Sequence, residues 1–289
     1  MNRRREDRRE AIPRGADAGD GQGEAAVRRA TGHRPTATIA QPANLDDAVG
    51  QVTEMTSDLF EPTPPVECWP ERLGPGAVLL HGFARAEAPA LMDEVARLIE
   101  QAPWRHMITP SGHRMSVAMT NGGARGGVSD RTGYRYAPLD PESGRPWPPL
   151  PDCFLKLAQD AAVQAGFTGF LPDACPINRY GPNARLSLHQ DRDERDLTAP
   201  IVSVSLGLPA VFLWGGLKRK DPTHRLPLAH GDILVWGGPD RLRDHGVRPL
   251  QAGSHPALGE QRIHLTFRQV GSGIAVNIPP QSARLRLVA

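Results

Sequence analysis

The pattern of apolar and polar positions changes character along the chain. Through residues 1–74 the apolar positions follow no period. Met1 to Arg14 is dense in charge, residues 15–50 are mostly Ala, Gly, Asp and Arg, and Glu61-Pro-Thr-Pro-Pro65 is a stiff, extended stretch. Such a segment offers too little apolar surface to offset the entropy of ordering it, so residues 1–74 are expected to form a poorly ordered extension. Met55-Thr-Ser-Asp-Leu-Phe60 is a candidate native start, which would make residues 1–54 an upstream addition.

Periodicity begins at Gly76. Ala77-Val-Leu-Leu80 predicts a short buried strand. Pro89 stands where the first turn of a helix accepts proline, and Leu91, Val95, Leu98 and Ile99 recur at helical spacing, which predicts a helix over 88–101. Asp152 is expected to cap a second helix running to Gly166, with Phe154, Leu155, Ala158, Ala162 and Val163 on its buried face. Residues 103–150 hold Gly, Pro, aromatics and Arg in short extended pieces and predict hairpins. The rest reads as strands: Pro176–Tyr180, Ser187–Asp191, Ile201–Leu206, Val211–Trp214, Asp232–Trp236, His245–Pro249 and Arg262–Val270. Gly215-Gly216 and Gly237-Gly238 supply turns between them. Short strands at this spacing predict a mainly β fold with flanking helices, a double-sheet barrel or jelly roll braced on one face. The expected organisation is an extension to residue 74, one domain over 75–275 and a tail over 276–289.

Composition removes several alternatives. Three cysteines, Cys68, Cys153 and Cys175, lie far apart and form no CxxC pair, which argues against a disulfide framework or a zinc ribbon and for a reducing compartment such as the cytoplasm. No apolar run approaches the length of a bilayer span, so no membrane association is expected. The Arg-rich N-terminus lacks the apolar core of a secretory signal, and Glu6, Asp7 and Glu10 interrupt it as an organelle-targeting peptide. A net charge of +2 does not by itself imply a nucleic-acid partner. Its distribution is more informative. Residues 103–150 carry six arginines (105, 114, 125, 131, 135, 145) against three acids (Asp130, Asp140, Glu142), with Tyr134, Tyr136 and Trp147 interleaved. That mixture suits a strand-binding surface, although a basic stretch alone is more often a solvated face. Lys218-Arg219-Lys220 could add phosphate contacts, and Arg3 to Arg14 could add non-specific affinity.

His189-Gln-Asp191 lies in an extended stretch, where residues two apart project to the same face. Two such ligands need a third to hold a catalytic iron. His245, at the start of a strand, is the natural candidate, while His224, His230 and His255 compete for the place. Two imidazoles and a carboxylate leave open positions on Fe(II) for oxygen activation and a bidentate co-substrate. Further on, Arg262-Ile-His-Leu-Thr-Phe-Arg268 alternates strictly: Ile263, Leu265 and Phe267 face one way, Arg262, His264, Thr266 and Arg268 the other. The two arginines stand about 20 Å apart along a flat strand, and twist and long side chains bring their heads towards one ligand. Guanidinium forks suit the two ends of a dicarboxylic acid. Asn178 and Tyr180 form a further same-face pair able to donate to a carboxylate. Each pattern alone is commonplace. Their order is what gives them weight.

At this point the chain resembles the AlkB family of alkylated-DNA repair dioxygenases. The resemblance rests on Asn178 through Glu194 (NRYGPNARLSLHQDRDE), Ala199 through Pro209, Gly215-Gly-Leu-Lys-Arg219, His230-Gly-Asp232 and Leu265-Thr-Phe-Arg268. It spans roughly residues 55–270, and the motifs together are far more specific than a lone HxD. The resemblance implies a double-stranded β-helix with an N-terminal nucleotide-recognition lid over 103–150. It implies His189, Asp191 and His245 as catalytic iron ligands. It implies Arg262 and Arg268 on the two carboxylates of 2-oxoglutarate, with Asn178, Tyr180 and His264 assisting. Asp193 would meet the substrate base, Tyr134 the lesion-bearing strand, and Arg219 and Met119 would add substrate contacts. The cofactors implied are Fe(II), 2-oxoglutarate as co-substrate and O2. The implied reaction is demethylation of 1-methyladenine and 3-methylcytosine type lesions, with succinate, CO2 and formaldehyde released. The implied partner is alkylated DNA, single-stranded or with its nucleotide flipped, met by a monomer. The alternatives are methylated RNA, a protein substrate, or a non-catalytic barrel that keeps the metal. Two departures stand out. Gly127 occupies the place where the family often has a stacking aromatic, leaving Tyr134, Tyr136 or His245 as the nearby rings. His264 replaces an assisting Asn.

Overall fold

The structure is a computed structural model that describes residues 68–271. The expected extension up to residue 67, the candidate start at Met55 and the tail over 276–289 lie outside the described residues. In chain order the elements are β1 (Trp69–Gly74), β2 (Ala77–His81), α1 (Ala88–Gln101), β3 (Ala118–Gly123), β4 (Gly126–Asp130), β5 (Gly133–Ala137), α2 (Asp152–Gln164), β6 (Ala174–Tyr180), β7 (Leu186–His189), β8 (Ile201–Gly207), β9 (Ala210–Trp214), β10 (His224–Leu228), β11 (Ile233–Trp236), β12 (His245–Val247) and β13 (Arg262–Phe267). A seven-stranded sheet runs β1-β2-β11-β8-β13-β6-β3, a four-stranded sheet runs β10-β9-β12-β7, and β4-β5 form a separate hairpin. This is the expected double-sheet jelly roll.

Alternation along the large sheet sorts side chains into two cores. Val78 and Leu80, Val202, Val204 and Leu206, Ile233 and Val235, and Ile263, Leu265 and Phe267 pack with the helices. Ala77 and Leu79, Ile201, Leu234 and Trp236 point the other way, against Phe212, Trp214 and Val247 of the small sheet. Helix α1 contributes Leu91, Val95 and Leu98, and α2 seats Phe154 edge-on to Phe267 at 5.7 Å. Arg262, His264 and Thr266 therefore lie on the barrel side of a central, fully buried strand, where a polar side chain needs a partner.

Several elements differ from expectation. Residues 69–74, expected to belong to the extension, form edge strand β1 on β2. β10 has no counterpart among the expected strands. Both tolerate proline, Pro70 and Pro227, because each is an edge strand that need not donate on its outer side. Asp152 does not cap α2, since Pro151 is the N-cap and Asp152 sits in the first turn. The buried face of α2 uses Leu157 and Ala161 rather than Leu155 and Val163, and Val163 is 54% exposed. Within 103–150, β3 is buried throughout and belongs to the large sheet rather than to the lid. Trp147 is buried too: its Nε1 donates to Ala137 O at 3.0 Å and its ring lies under Arg105. It is thus unavailable to a strand. Arg105 is buried against Asp140, and Arg135 pairs with Asp130 at 2.8 Å, so part of the expected positive surplus is neutralised internally. No helix of the described residues is long and apolar enough to cross a membrane.

Candidate active site

His189 ends β7 and His245 begins β12, and the two are direct register partners with ring centroids 4.4 Å apart. Gly246 permits this approach, because a Cβ there would lie 2.7 Å from Leu186 O. Asp191 lies beyond the end of β7, not within a strand as alternation suggested. His189, Asp191 and His245 nevertheless each present one ligand atom, all within 4.8 Å of one another. The competing histidines sit elsewhere: His230 and His255 face each other at 4.5 Å, and His224 is exposed on β10.

Backbone contacts fix the tautomers. His189 Nδ1 is 2.9 Å from Ser187 O and His245 Nδ1 is 3.0 Å from Arg243 O. A carbonyl only accepts, so each Nδ1 carries the hydrogen and each Nε2 keeps its lone pair. Those lone pairs face Asp191, at 3.6 Å from Oδ1 for His189 and 3.3 Å from Oδ2 for His245. Phe212 stacks on the His245 ring and Trp236 meets it edge-on. Burial, and secondarily the neighbouring His245, pulls the His189 pKa down to about 4, which keeps the ring neutral and ligand-competent near neutral pH. Burial would raise the Asp191 carboxyl, but Arg268 and His245 beside it hold it well below the usual range.

Behind the triad stands a network in which Arg268 is joined by Glu194, Tyr136 and Arg241, the last of which no sequence motif marked. Arg268 reaches Asp191 Oδ2 at 2.7 Å and Glu194 Oε1 at 2.9 Å, and donates to the Tyr136 hydroxyl at 2.8 Å. Tyr136 in turn donates to Glu194 Oε1 at 2.7 Å. Arg241 donates to Glu194 Oε2 at 3.0 Å and to the Asp191 backbone carbonyl at 2.6 Å, which fixes the loop carrying the carboxylate. Asp191 and Glu194 thus balance Arg241 and Arg268. Ser203 and Ser205, polar positions at alternate places in apolar β8, are the one visible trace of the face opposite Arg262 and His264.

Arg262 has no such balance. It is fully buried, its Nη2 donates to Ser205 Oγ at 2.8 Å, and no carboxylate pairs with it among the described residues. Its Nε and Nη1 lack partners, as do Tyr180 OH, Asn178 Oδ1 and His264 Nδ1. His264 Nε2 lies 2.5 Å from Ser203 Oγ, and burial, reinforced by Arg262 and Arg268, keeps the ring neutral. A buried cation ringed by unpaired polar atoms fits the far carboxylate of a dicarboxylic acid, and the His189–Asp191–His245 donor set fits Fe(II). The residues present therefore fit both groups.

A cavity of about 260 Å³ is lined by His189 and Asp191 of the triad, by Asn178 and Arg268, and by Met119, Tyr134 and Asp193. Burial and Glu194 raise the Asp193 carboxyl above its usual value. Arg219 does not line the cavity; it is exposed and pairs with Asp244 at 3.2 Å. A larger hollow of about 540 Å³ is lined by none of the candidate residues.

The titrations predict acid sensitivity. His189 and His264 take up protons at 6.5 when unfolded but only at lower pH when folded. The unfolded chain therefore binds more protons below 6.5, and stability falls as pH falls through that value. Metal-free protein should melt at progressively lower temperature from pH 7.5 to pH 5. A flat profile would show that neither ring is held neutral.

The 2OG-Fe(II) oxygenase superfamily model matches residues 76–268. The chain is 57% identical over 212 residues to the alpha-ketoglutarate-dependent dioxygenase AlkB of Salmonella typhimurium, covering 73% of this chain and 97% of that protein. It is 55% identical over 214 residues to the Escherichia coli protein of the same name, covering 74% and 98%. Among solved structures, that of OsALKBH1 superposes with a TM-score of 0.62 at 27% identity, over 70% of this chain and all of the other.

Proposed function

The chain belongs to the AlkB family within the 2OG-Fe(II) oxygenase superfamily, and we infer from that membership and from the site's geometry where each part of its reaction is held. It is an iron(II)- and 2-oxoglutarate-dependent dioxygenase that oxidatively demethylates alkylated bases in DNA. His189, Asp191 and His245 hold the iron. Arg262, with Asn178, Tyr180 and His264, takes one carboxylate of 2-oxoglutarate, and Arg268 steadies the end nearer the metal. When bound, iron with 2-oxoglutarate and O2 supplies oxidation of the N-methyl carbon, with succinate and CO2 as co-products. The hydroxymethyl group then leaves the ring nitrogen as formaldehyde.

This chain's own residues do the positioning. The backbone carbonyls of Ser187 and Arg243 hold both imidazoles in one tautomer, and Arg241 and Arg268 hold Asp191. Phe212, stacked on the His245 ring, and Trp236, edge-on to it, hold the imidazole plane in place. The lesions are of the 1-methyladenine and 3-methylcytosine type, whose cationic rings favour an acid such as Asp193 at the cavity wall. Such a base reaches the triad from a single strand or after flipping, because its reacting atom is otherwise enclosed in the base stack of a duplex. The protein works as a monomer in a reducing, cytoplasmic setting, in keeping with its three free cysteines.

The observation that carries this reading is the convergence of two histidines and an aspartate within 4.8 Å, beside a buried guanidinium without a carboxylate. Formaldehyde and succinate release, measured on matched methylated DNA, RNA and protein with and without 2-oxoglutarate, tests it. Release on methylated DNA is expected. Faster release on RNA would move the substrate, and no succinate with any alkylated substrate would overturn the reading.

A further inference from the structure

The turn His230-Gly-Asp232 between β10 and β11 carries no metal ligand. It continues a ladder instead. Antiparallel pairing of β11 with β8 ends at Ile233 and Val204. Beyond it, Ser205 N donates to Asp232 O at 2.9 Å and Gly231 N donates to Ser205 O at 2.8 Å. The next donor on that edge of β8 is the buried Gly207 N–H, two residues on. A side chain meets it: Gly207 N donates to His230 Nδ1 at 3.0 Å. The turn itself is held by other bonds. Asp232 Oδ1 accepts from Gly82 N at 2.8 Å and Oδ2 from Ala229 N at 2.7 Å, and Ala84 N donates to Gly231 O at 2.8 Å.

The end of β8 that His230 secures is where Arg262 is held. Ser205 Oγ accepts from Arg262 Nη2 at 2.8 Å, and Gly207 is the register partner of Arg262 itself. Gly207 has φ +91, and a Cβ there would lie 2.5 Å from Gln261 O and 3.4 Å from Arg262 Cα, so β13 passes directly against it. Movement at Gly207 is thus movement under the guanidinium.

We propose that His230 is a positioning residue for 2-oxoglutarate: by accepting the Gly207 N–H it fixes the end of β8 that holds Arg262, and it does so only while its ring is neutral. This rests on the dioxygenase reading above. An amide N–H only donates, so Nδ1 supplies the lone pair and Nε2 carries the hydrogen. A further proton goes to Nδ1 and sets a donor against the Gly207 N–H. The groups facing His230 are the His255 ring at 4.5 Å, Arg85 after β2 and Asp232 at the foot of β11. Burial, then His255 and Arg85, hold the His230 pKa below 6.5, so the ring takes up its proton only below that value. Co-substrate binding depends on the neutral ring and weakens as pH falls through that range.

The test is calorimetric titration of 2-oxoglutarate into full-length protein saturated with Mn(II), from pH 7.5 to pH 5. His230→Leu should weaken binding about three- to tenfold at pH 7.5, the effect of one lost hydrogen bond. Asparagine places its amide oxygen where Nδ1 stands and does not titrate. His230→Asn should therefore bind as wild type at pH 7.5 and lose less affinity than wild type towards pH 5. His230→Gln, whose amide oxygen lies one carbon further out, should behave as leucine and takes its place should that variant fail to fold. Affinity for a single-stranded oligonucleotide should not change in any of them, which a general loosening of the fold would not spare. The inference is overturned if Leu or Gln binds 2-oxoglutarate as wild type does or if Asn is as weak as Leu. It is equally overturned if Asn shares the wild-type pH slope or if oligonucleotide affinity falls in step. The wild type separates the two failures. A wild type that binds 2-oxoglutarate, with variants unaffected, removes the role of His230 only, whereas a wild type that does not bind it removes the dioxygenase reading.

Discussion

Replacing Asp191 with alanine is expected to stop turnover while leaving the fold in place. The carboxylate is the only anionic member of the triad, and both imidazole Nε2 atoms face it at 3.3 and 3.6 Å. Removing an outer partner of a metal ligand lowers affinity or activity by about 10–100-fold, and losing the ligand itself exceeds that. The expected loss is therefore more than ~100-fold in formaldehyde release, together with loss of stoichiometric iron. The fold should survive because Arg268, deprived of Asp191, keeps Glu194 Oε1 at 2.9 Å and the Tyr136 hydroxyl at 2.8 Å. Two outcomes would count against Asp191 as a ligand: wild-type turnover in the alanine variant, or full iron content with unchanged melting on metal addition. His189→Ala should behave in the same direction. Its position on the cavity wall makes substrate binding a second readout in that variant.

How much of this was visible beforehand depends on whether a residue's role is local or lies across the barrel. The β13 alternation was legible because a central strand buried on both faces shows its two environments as two residue sets, apolar towards the helices and polar towards the barrel. The His189–Asp191 spacing was legible as chemistry but not as geometry. The convergence of Asp191 comes from Arg241 and Arg268, 50 and 77 positions on in the chain, and not from strand alternation. Glu194 looked like one more charge in Asp191-Arg-Asp-Glu194, yet it is the buried acid that balances two arginines. Trp147 read as a strand-binding aromatic because aromatics among arginines suggest stacking, whereas its partner is the buried Arg105. Edge strands β1 and β10 carry too few buried positions to produce a period, and proline in each masked what remained.

Arg262 gives the sharpest separation of function from stability. In the ligand-free protein it is a fully buried cation without a carboxylate partner among the described residues, held by Ser205 Oγ and lying 5.2 Å from the Tyr180 ring centroid, and burial draws its pKa below the usual arginine value. A lone buried charge is a liability for the fold, and replacing it with an apolar side chain of similar length is often neutral or stabilising. Arg262→Met should therefore leave the melting temperature of ligand-free protein unchanged or raise it. Binding of 2-oxoglutarate should respond in the opposite sense. Each hydrogen bond to a charged group contributes about 1.5–3 kcal/mol, so losing a two-pronged contact weakens binding by ~100-fold or more. Arg262→Lys should fall between, since a point charge remains but the fork is gone. The measurement is a pair of melting curves, with and without 2-oxoglutarate on Mn(II)-loaded protein, alongside a calorimetric titration. If the methionine variant still gains stability from 2-oxoglutarate, the guanidinium does not hold the co-substrate. If instead its ligand-free form melts several degrees lower, Arg262 is a structural residue whose unpaired nitrogens serve packing, and the carboxylate must be held by Arg268, Asn178 and Tyr180 alone.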